Sequence, residues 1–412
     1  MPIHVTTLSC GTTLLVQPMP NVRSAALSWL VPGGSVDDPA NRLGRSAMWS
    51  EMLLRGTRSL GSREHADAFD RLGAGRAVEN GSFFMRLSTT LMGDRVDAVL
   101  PLLTSMVLEP RFDPDALEPS RDLALQALAS LADDPQERAM LRARERHFAP
   151  PLNRSGLGDE AGLTSMTHAD IAEGWKSVQS PRRSIFCAAG AVDPVALAAR
   201  LDELLSGWHG GASETTIESA APRGYAHETD ETNQVQIILV HDAPPESSPD
   251  ALLEKVVLSV LSGGMSGRLF SEVREKRALC YSVNAGYRGD RDFGGVTAYV
   301  GSKPEQAQES LDVLHAELVR ITTPQGAITP EEFARAIVGI KSRLVFSGES
   351  TGARAAALGM DWFRLGRTRT LEEMSREVDA VTLDQVNAYA QRRSLGRLTI
   401  QTVGPAPLRP PV

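Results

Sequence analysis

Apolar and polar positions alternate along the first segment as they do in half-buried strands, over residues 12–17 and 25–31. Pro18 and Pro20 separate the two runs, and Pro32, Gly33 and Gly34 close the second. The spacing then turns helical at 42–54 and 62–72; Gly56 ends the first helix, Gly73 and Gly75 end the second, and Ser62 is the expected cap of the second. A strand over 82–90 precedes an apolar helix at 96–107, which Pro110 breaks. A long helix is predicted for 114–131; Asp133, Asp134 and Pro135 stop it and start the next at 136–147. After a turn-rich stretch at 150–164 come a helix at 167–178 capped by Thr167, a strand at 184–190 and a helix at 194–206.

Periodicity fades at 207–222, where Gly, Ser, Thr and Ala dominate; this reads as an inter-domain linker, with an ordinary surface loop as the alternative. The order of elements then recurs. A strand at 234–240, a helix at 251–261, a helical stretch at 267–276 and strands at 281–287 and 294–300 are followed by helices at 304–320, 329–346, 351–365 and 382–390 and a last strand at 398–403. Two halves of similar order predict an internal duplication, with domains at 1–210 and 225–412.

The length of 412 residues fits two or three domains, and 42% apolar with 23% charged residues is ordinary for a folded chain. A formal charge of -8 and the lack of basic runs interleaved with aromatics argue against a nucleic-acid partner. The densest basic stretch, 138–146, also holds Glu145 and is read as a solvated helix face. Cys10, Cys187 and Cys280 are scattered singly, as reduced thiols are, and the eight histidines form no pair at helical spacing. The N-terminal stretch has no basic and apolar leader pattern, and no apolar run is long enough to span a membrane; the default expectation is cytoplasmic.

Residues 44–57, reading GRSAMWSEMLLRGT, resemble the signature helix of the M16 (pitrilysin and processing-peptidase-like) metallopeptidase family. Active members carry His-x-x-Glu-His there, two imidazoles on successive turns of one helix face and a carboxylate that activates water. Anchored on Met52, Gly56 and Thr57, the resemblance places these positions at Ala47, Ser50 and Glu51. A further Glu ligand of the family, ahead of the Asp133-Asp134-Pro135 anchor, falls on Ala127, and its supporting acid falls on Ser120. All five are substituted, so the resemblance implies no metal and no cofactor in this chain. Residues 261–283, in contrast, closely match the family's Gly-rich turn, helix and Arg/Tyr strand, and put that pair at Arg274 and Tyr281. In active relatives the pair holds the substrate backbone and stabilises the oxyanion, a role for which a guanidinium and a phenol are suited as donors. Local chemistry alone allows a plainer reading, with Arg274 as one helix-surface charge among several and Tyr281 as a half-buried strand aromatic. The stretch 76–81 matches the family's peptide-docking edge strand poorly, which implies an altered edge.

The resemblance covers essentially the whole chain and implies an α+β fold. It consists of two homologous LuxS/MPP-like metallohydrolase α/β domains with mainly antiparallel sheets, forming half of a clamshell. It further implies a non-catalytic subunit of a two-subunit zinc peptidase, inactive alone. A zinc-bearing homologous partner would supply the zinc, a peptide would be the substrate, and the assembly would be a heterodimer in preference to a homodimer, with no nucleic acid and no membrane. The alternative is a scaffold or interaction protein of core-subunit type with no role in proteolysis. A third reading, an unconventional enzyme using Ser50 or Glu51, has His65 as its nearest histidine in sequence.

Overall fold

The computed structural model describes residues 2–211 and 221–411. Most of the linker reading at 207–222 thus lies outside the described residues. The first half builds a six-stranded sheet from β1 (His4–Thr7), β2 (Thr13–Pro18), β3 (Ser24–Pro32), β4 (Gly75–Asn80), β5 (Phe84–Met92) and β6 (Ile185–Gly190). Its order is β1-β2-β6-β3-β5-β4. The second half builds a five-stranded sheet from β7 (Gly224–Thr229), β8 (Val235–Ala243), β9 (Cys280–Gly289), β10 (Gly294–Ser302) and β11 (Thr399–Gly404), in the order β7-β11-β8-β10-β9.

With β1 set aside, the two orders are the same, strand for strand. Among the described residues each sheet has a single parallel pair, β2 with β6 and β7 with β11, and all other neighbours are antiparallel. The duplication expected from element order is therefore present in the topology. It leaves β4 and β9 as equivalent edge strands, one in each half.

Strand β3 shows why its sequence is apolar on both sides. Leu27, Trp29 and Val31 enter the main core of the first half, beneath Trp49 and Trp175. Ala26 and Leu30 face the opposite way, onto Ala355 and Leu358. The latter two sit on the helix Thr351–Leu365, which belongs to the second half of the sequence. Gly359 lets that helix approach closely, because a Cβ there would lie 2.9 Å from Leu30 and 3.0 Å from Cys187. Arg354, buried on the same helix, donates to Gln17 Oε1 on β2 at 2.6 and 3.0 Å.

The exchange is reciprocal. Helix Pro135–His147 of the first half lays Ala139 and Ala143 against Ile238, Val240, Tyr299 and Val403 of the second sheet. Its basic residues are therefore not the solvated face expected from charge pattern. Arg138 pairs with Glu228 at 2.9 Å and with Asp230; Arg146 donates to the Arg223 carbonyl at 2.9 Å. Small residues at 139 and 143, one turn apart, open the approach, and the arginines that flank them, Arg138 and Arg146, reach the other half.

Candidate functional site

Helix Arg45–Met52 begins at Gly44, whose φ of 97° lies in the left-handed region that glycine adopts freely. A side chain there would also collide with Leu163, because a Cβ on residue 44 would lie 2.6 Å from it. Asp38 closes the helix start, accepting from Gly44 N at 3.0 Å, Ser46 N at 2.9 Å and Ser46 Oγ at 2.9 Å. Burial pushes its carboxyl up to about 6, against the opposing pull of these hydrogen bonds.

Met48, Trp49 and Met52 turn into the core, so Ala47, Ser50 and Glu51 occupy the outer face. They line a cavity of about 400 Å³ together with Ala127 from helix Leu117–Ala129 and Asn80 at the end of β4. The chain thus brings four of the five substituted positions around one space. Ser120 lies fully buried on the same helix as Ala127, outside the lining, and its Oγ has no hydrogen-bond partner among the described residues. Zinc does not fit this donor set. The ligand positions hold a methyl, a methyl and one carboxylate, and Ser50 Oγ donates to the Ala47 carbonyl at 2.7 Å. Among the described residues no three His, Cys, Asp or Glu side chains group closely enough to hold a metal ion. His65 is no base for Ser50 either, being buried with Nδ1 2.6 Å from Arg76 Nη1.

Arg274 and Tyr281 come together through two local irregularities. Residues Phe270–Glu275 form a π-helical turn, marked by the 3.0 Å bond from Lys276 N to Ser271 O. On β9 the pairing with β10 jumps from Ser282–Gly301 to Cys280–Ser302, so Tyr281 is the extra residue of a β-bulge. Both devices insert one residue and re-aim a side chain. The Arg274 guanidinium stacks 4.8 Å from the Phe270 ring centre and 5.2 Å from that of Tyr281. Tyr281 is 76% exposed, unlike the half-buried aromatic of the plainer reading. Within the described residues neither side chain has a hydrogen-bond or ion-pair partner, whereas the neighbouring Glu272 takes Lys276 and Arg277. Neither lines the first-half cavity.

Two sequence models of one family account for most of the chain. Insulinase (Peptidase family M16) matches residues 13–158, and the Peptidase M16 inactive domain matches residues 165–339. The chain belongs to the M16 peptidase family. It is 27% identical to an uncharacterized zinc protease of Mycobacterium tuberculosis over 97% of this chain and 92% of the relative. It is 24% identical to the uncharacterized zinc protease YmxG of Bacillus subtilis, over 93% of each. A crystal structure described as a peptidase M16 inactive domain, from Pseudomonas fluorescens, superposes with a TM-score of 0.88 at 19% identity, covering 100% of both chains. A protease from Helicobacter pylori superposes with a TM-score of 0.88 at 16% identity, over 98% of this chain and 99% of that one. The fold is accordingly that of two M16-type α/β domains with mixed, mainly antiparallel sheets in a clamshell-like arrangement.

The duplication also shows what motif matching missed. The first-half cavity lies between helix Arg45–Met52, β4 and helix Leu117–Ala129; its counterpart lies between helix Ala251–Ser262, β9 and helix Pro330–Glu349. That counterpart measures about 1170 Å³ and carries Lys255, Arg343, Arg367 and Glu377. Asn80 and Glu137, which line the smaller cavity, carry no motif and come to it from a strand end and from the exchanged helix. Phe270, the second ring under Arg274, stood in the matched stretch and could have been read there four residues before the arginine.

Proposed function

We propose that this chain is the non-catalytic subunit of a two-chain M16 zinc peptidase, completing the active site and peptide chamber of a zinc-bearing homologue as a heterodimer. The observation that carries the reading is the Arg274–Tyr281 pair, stacked, accessible and without an internal acceptor among the described residues, in a chain whose signature helix offers one carboxylate and no imidazole. The relatives named zinc proteases support a proteolytic setting. Zinc chemistry belongs to the partner in this proposal. What this chain contributes is donors: the guanidinium and the phenol hydroxyl would hydrogen-bond the scissile carbonyl oxygen as its negative charge develops. The domains at 1–210 and 225–412 would close one wall of the chamber around a peptide.

The test is peptide hydrolysis by the two chains mixed, against each alone. Activity is expected only in the mixture. Tyr281→Phe and Arg274→Ala, each removing one donor, are expected to lower kcat of the mixture by about 10²–10³-fold, with the unfolding midpoint of this chain unchanged. Full activity with both variants would sink the proposal and leave the scaffold reading in its place.

A further inference from the structure

A third cavity, of about 390 Å³, lies where the two halves meet and shares no lining residue with either cavity above. The first half supplies Thr13, Phe83, Phe84 and Arg182, and the second supplies Asp290 to Phe293 with Trp362 and Phe363. The rings form a cluster. Phe363 lies 5.1 Å from Phe83 and 4.8 Å from Phe84 between ring centres, Phe293 lies 6.5 Å from Phe83, and the Arg291 guanidinium sits 5.8 Å over Phe363. This is the lining that takes flat apolar ligands.

The polar groups are sorted by sign. Asp292 is engaged by Arg291 Nε at 2.9 Å, and Asp290, 1% exposed, accepts from Arg291 N at 2.9 Å. Burial holds the Asp290 carboxyl above its ordinary range. On the donor side, the Arg182 guanidinium, the Trp362 indole N–H and the Thr13 hydroxyl make no hydrogen bond within the described residues. Of the four tryptophans in the first core, Trp29, Trp49 and Trp175 place theirs, at 2.6, 3.0 and 2.9 Å, and Trp208 does not within the described residues. A space walled by rings and supplied with unused donors is complementary to an aromatic ligand bearing an anionic acceptor.

We propose that this junction cavity binds a small planar aromatic carboxylate, its ring against Phe83, Trp362 and Phe363 and its carboxylate on Arg182. The ligand touches both halves, so its binding also stabilises their junction. The proposal is independent of any role in proteolysis.

Isothermal titration calorimetry of the full chain tests it with three probes: indole-3-carboxylate, indole and cyclohexanecarboxylate. The expected result is one saturable site for indole-3-carboxylate. Affinity should fall at least about tenfold for each of the other two probes, the loss of a charge-assisted hydrogen bond or of ring stacking. Arg182→Ala, an exposed position, should weaken indole-3-carboxylate by a similar factor with the urea midpoint unchanged, and Phe83→Leu should do so while leaving the binding of cyclohexanecarboxylate as it was. Absence of a saturable site at millimolar probe overturns the proposal. So does equal binding of all three probes, or binding that neither variant alters.

Discussion

Asp38 is a carboxyl that three hydrogen bonds favour as the anion and that burial disfavours, and burial prevails. Its pKa rises on folding from 3.8 to about 6, so the folded chain binds more protons than the unfolded chain between these values. Stability contributed by this group is full below about pH 4 and is lost as pH rises through 6. Asp38→Asn removes the titration while keeping part of the cap. Relative to Asp38→Asn, the native chain is expected to lose roughly 1–3 kcal/mol between pH 4 and 7, read from urea unfolding curves. At this same scale the sequence was readable where a residue's chemistry alone decides. Ala47 and Ala127 cannot ligate a metal in any fold, whatever surrounds them. It was unreadable where backbone geometry decides: nothing in the letters of Tyr281 announces a bulge, since the extra residue exists only relative to β10. The cap at 62 also came out one residue early in the chain, as Gly61, whose N–H takes Glu64 Oε2 at 2.9 Å.

Elements with a strong apolar period were legible almost throughout, because burial against a sheet imposes that period on a helix. Five elements escaped, for different reasons; one of them, helix Glu160–Ser165, is a short helix at the end of a turn-rich stretch. Strands β1 and β4 are edges with few apolar side chains; β4 reads Gly-Arg-Ala-Val-Glu-Asn, with no alternation to detect. Strand β7 is half-buried on both faces and lacks alternation as well. Helix Leu371–Asp379 did carry a signal, a capping box of Thr370 with Glu373 and apolar Leu371, Met374 and Val378 at helical spacing. Which sheet a helix covers is a further matter, and periodicity is silent on it. The seat of helix Thr351–Leu365 on the first sheet depends on Gly359, where a methyl would meet Leu30 and Cys187 at or inside 3.0 Å. Gly359→Ala is expected to cost about 1–3 kcal/mol by overpacking, despite the higher helix propensity of alanine, as denaturant melts would show.

Over the whole molecule, duplication was visible in the order of elements, but the mutual exchange of helices was not. Linear halves are therefore incomplete as folding units. A fragment of residues 1–210 would expose Ala139 and Ala143 and leave the outer face of its sheet bare of Ala355 and Leu358. A fragment of 225–412 has the mirror deficit. Each fragment expressed alone is expected to melt without cooperativity, and the two co-expressed to associate and recover a sharp transition, followed by circular dichroism and size-exclusion chromatography. Separate cooperative melting of either fragment would contradict this.

The same crossing has a mechanical side. In a tandem protein whose domains are merely strung together, tension on the ends breaks the domains one at a time. Here each half grips a helix whose chain leads back into the other, so a load that dislodges Ala355 and Leu358 from the first sheet also strips support from the second half. Stretched by its termini in an optical trap, this chain should yield in one rip rather than two.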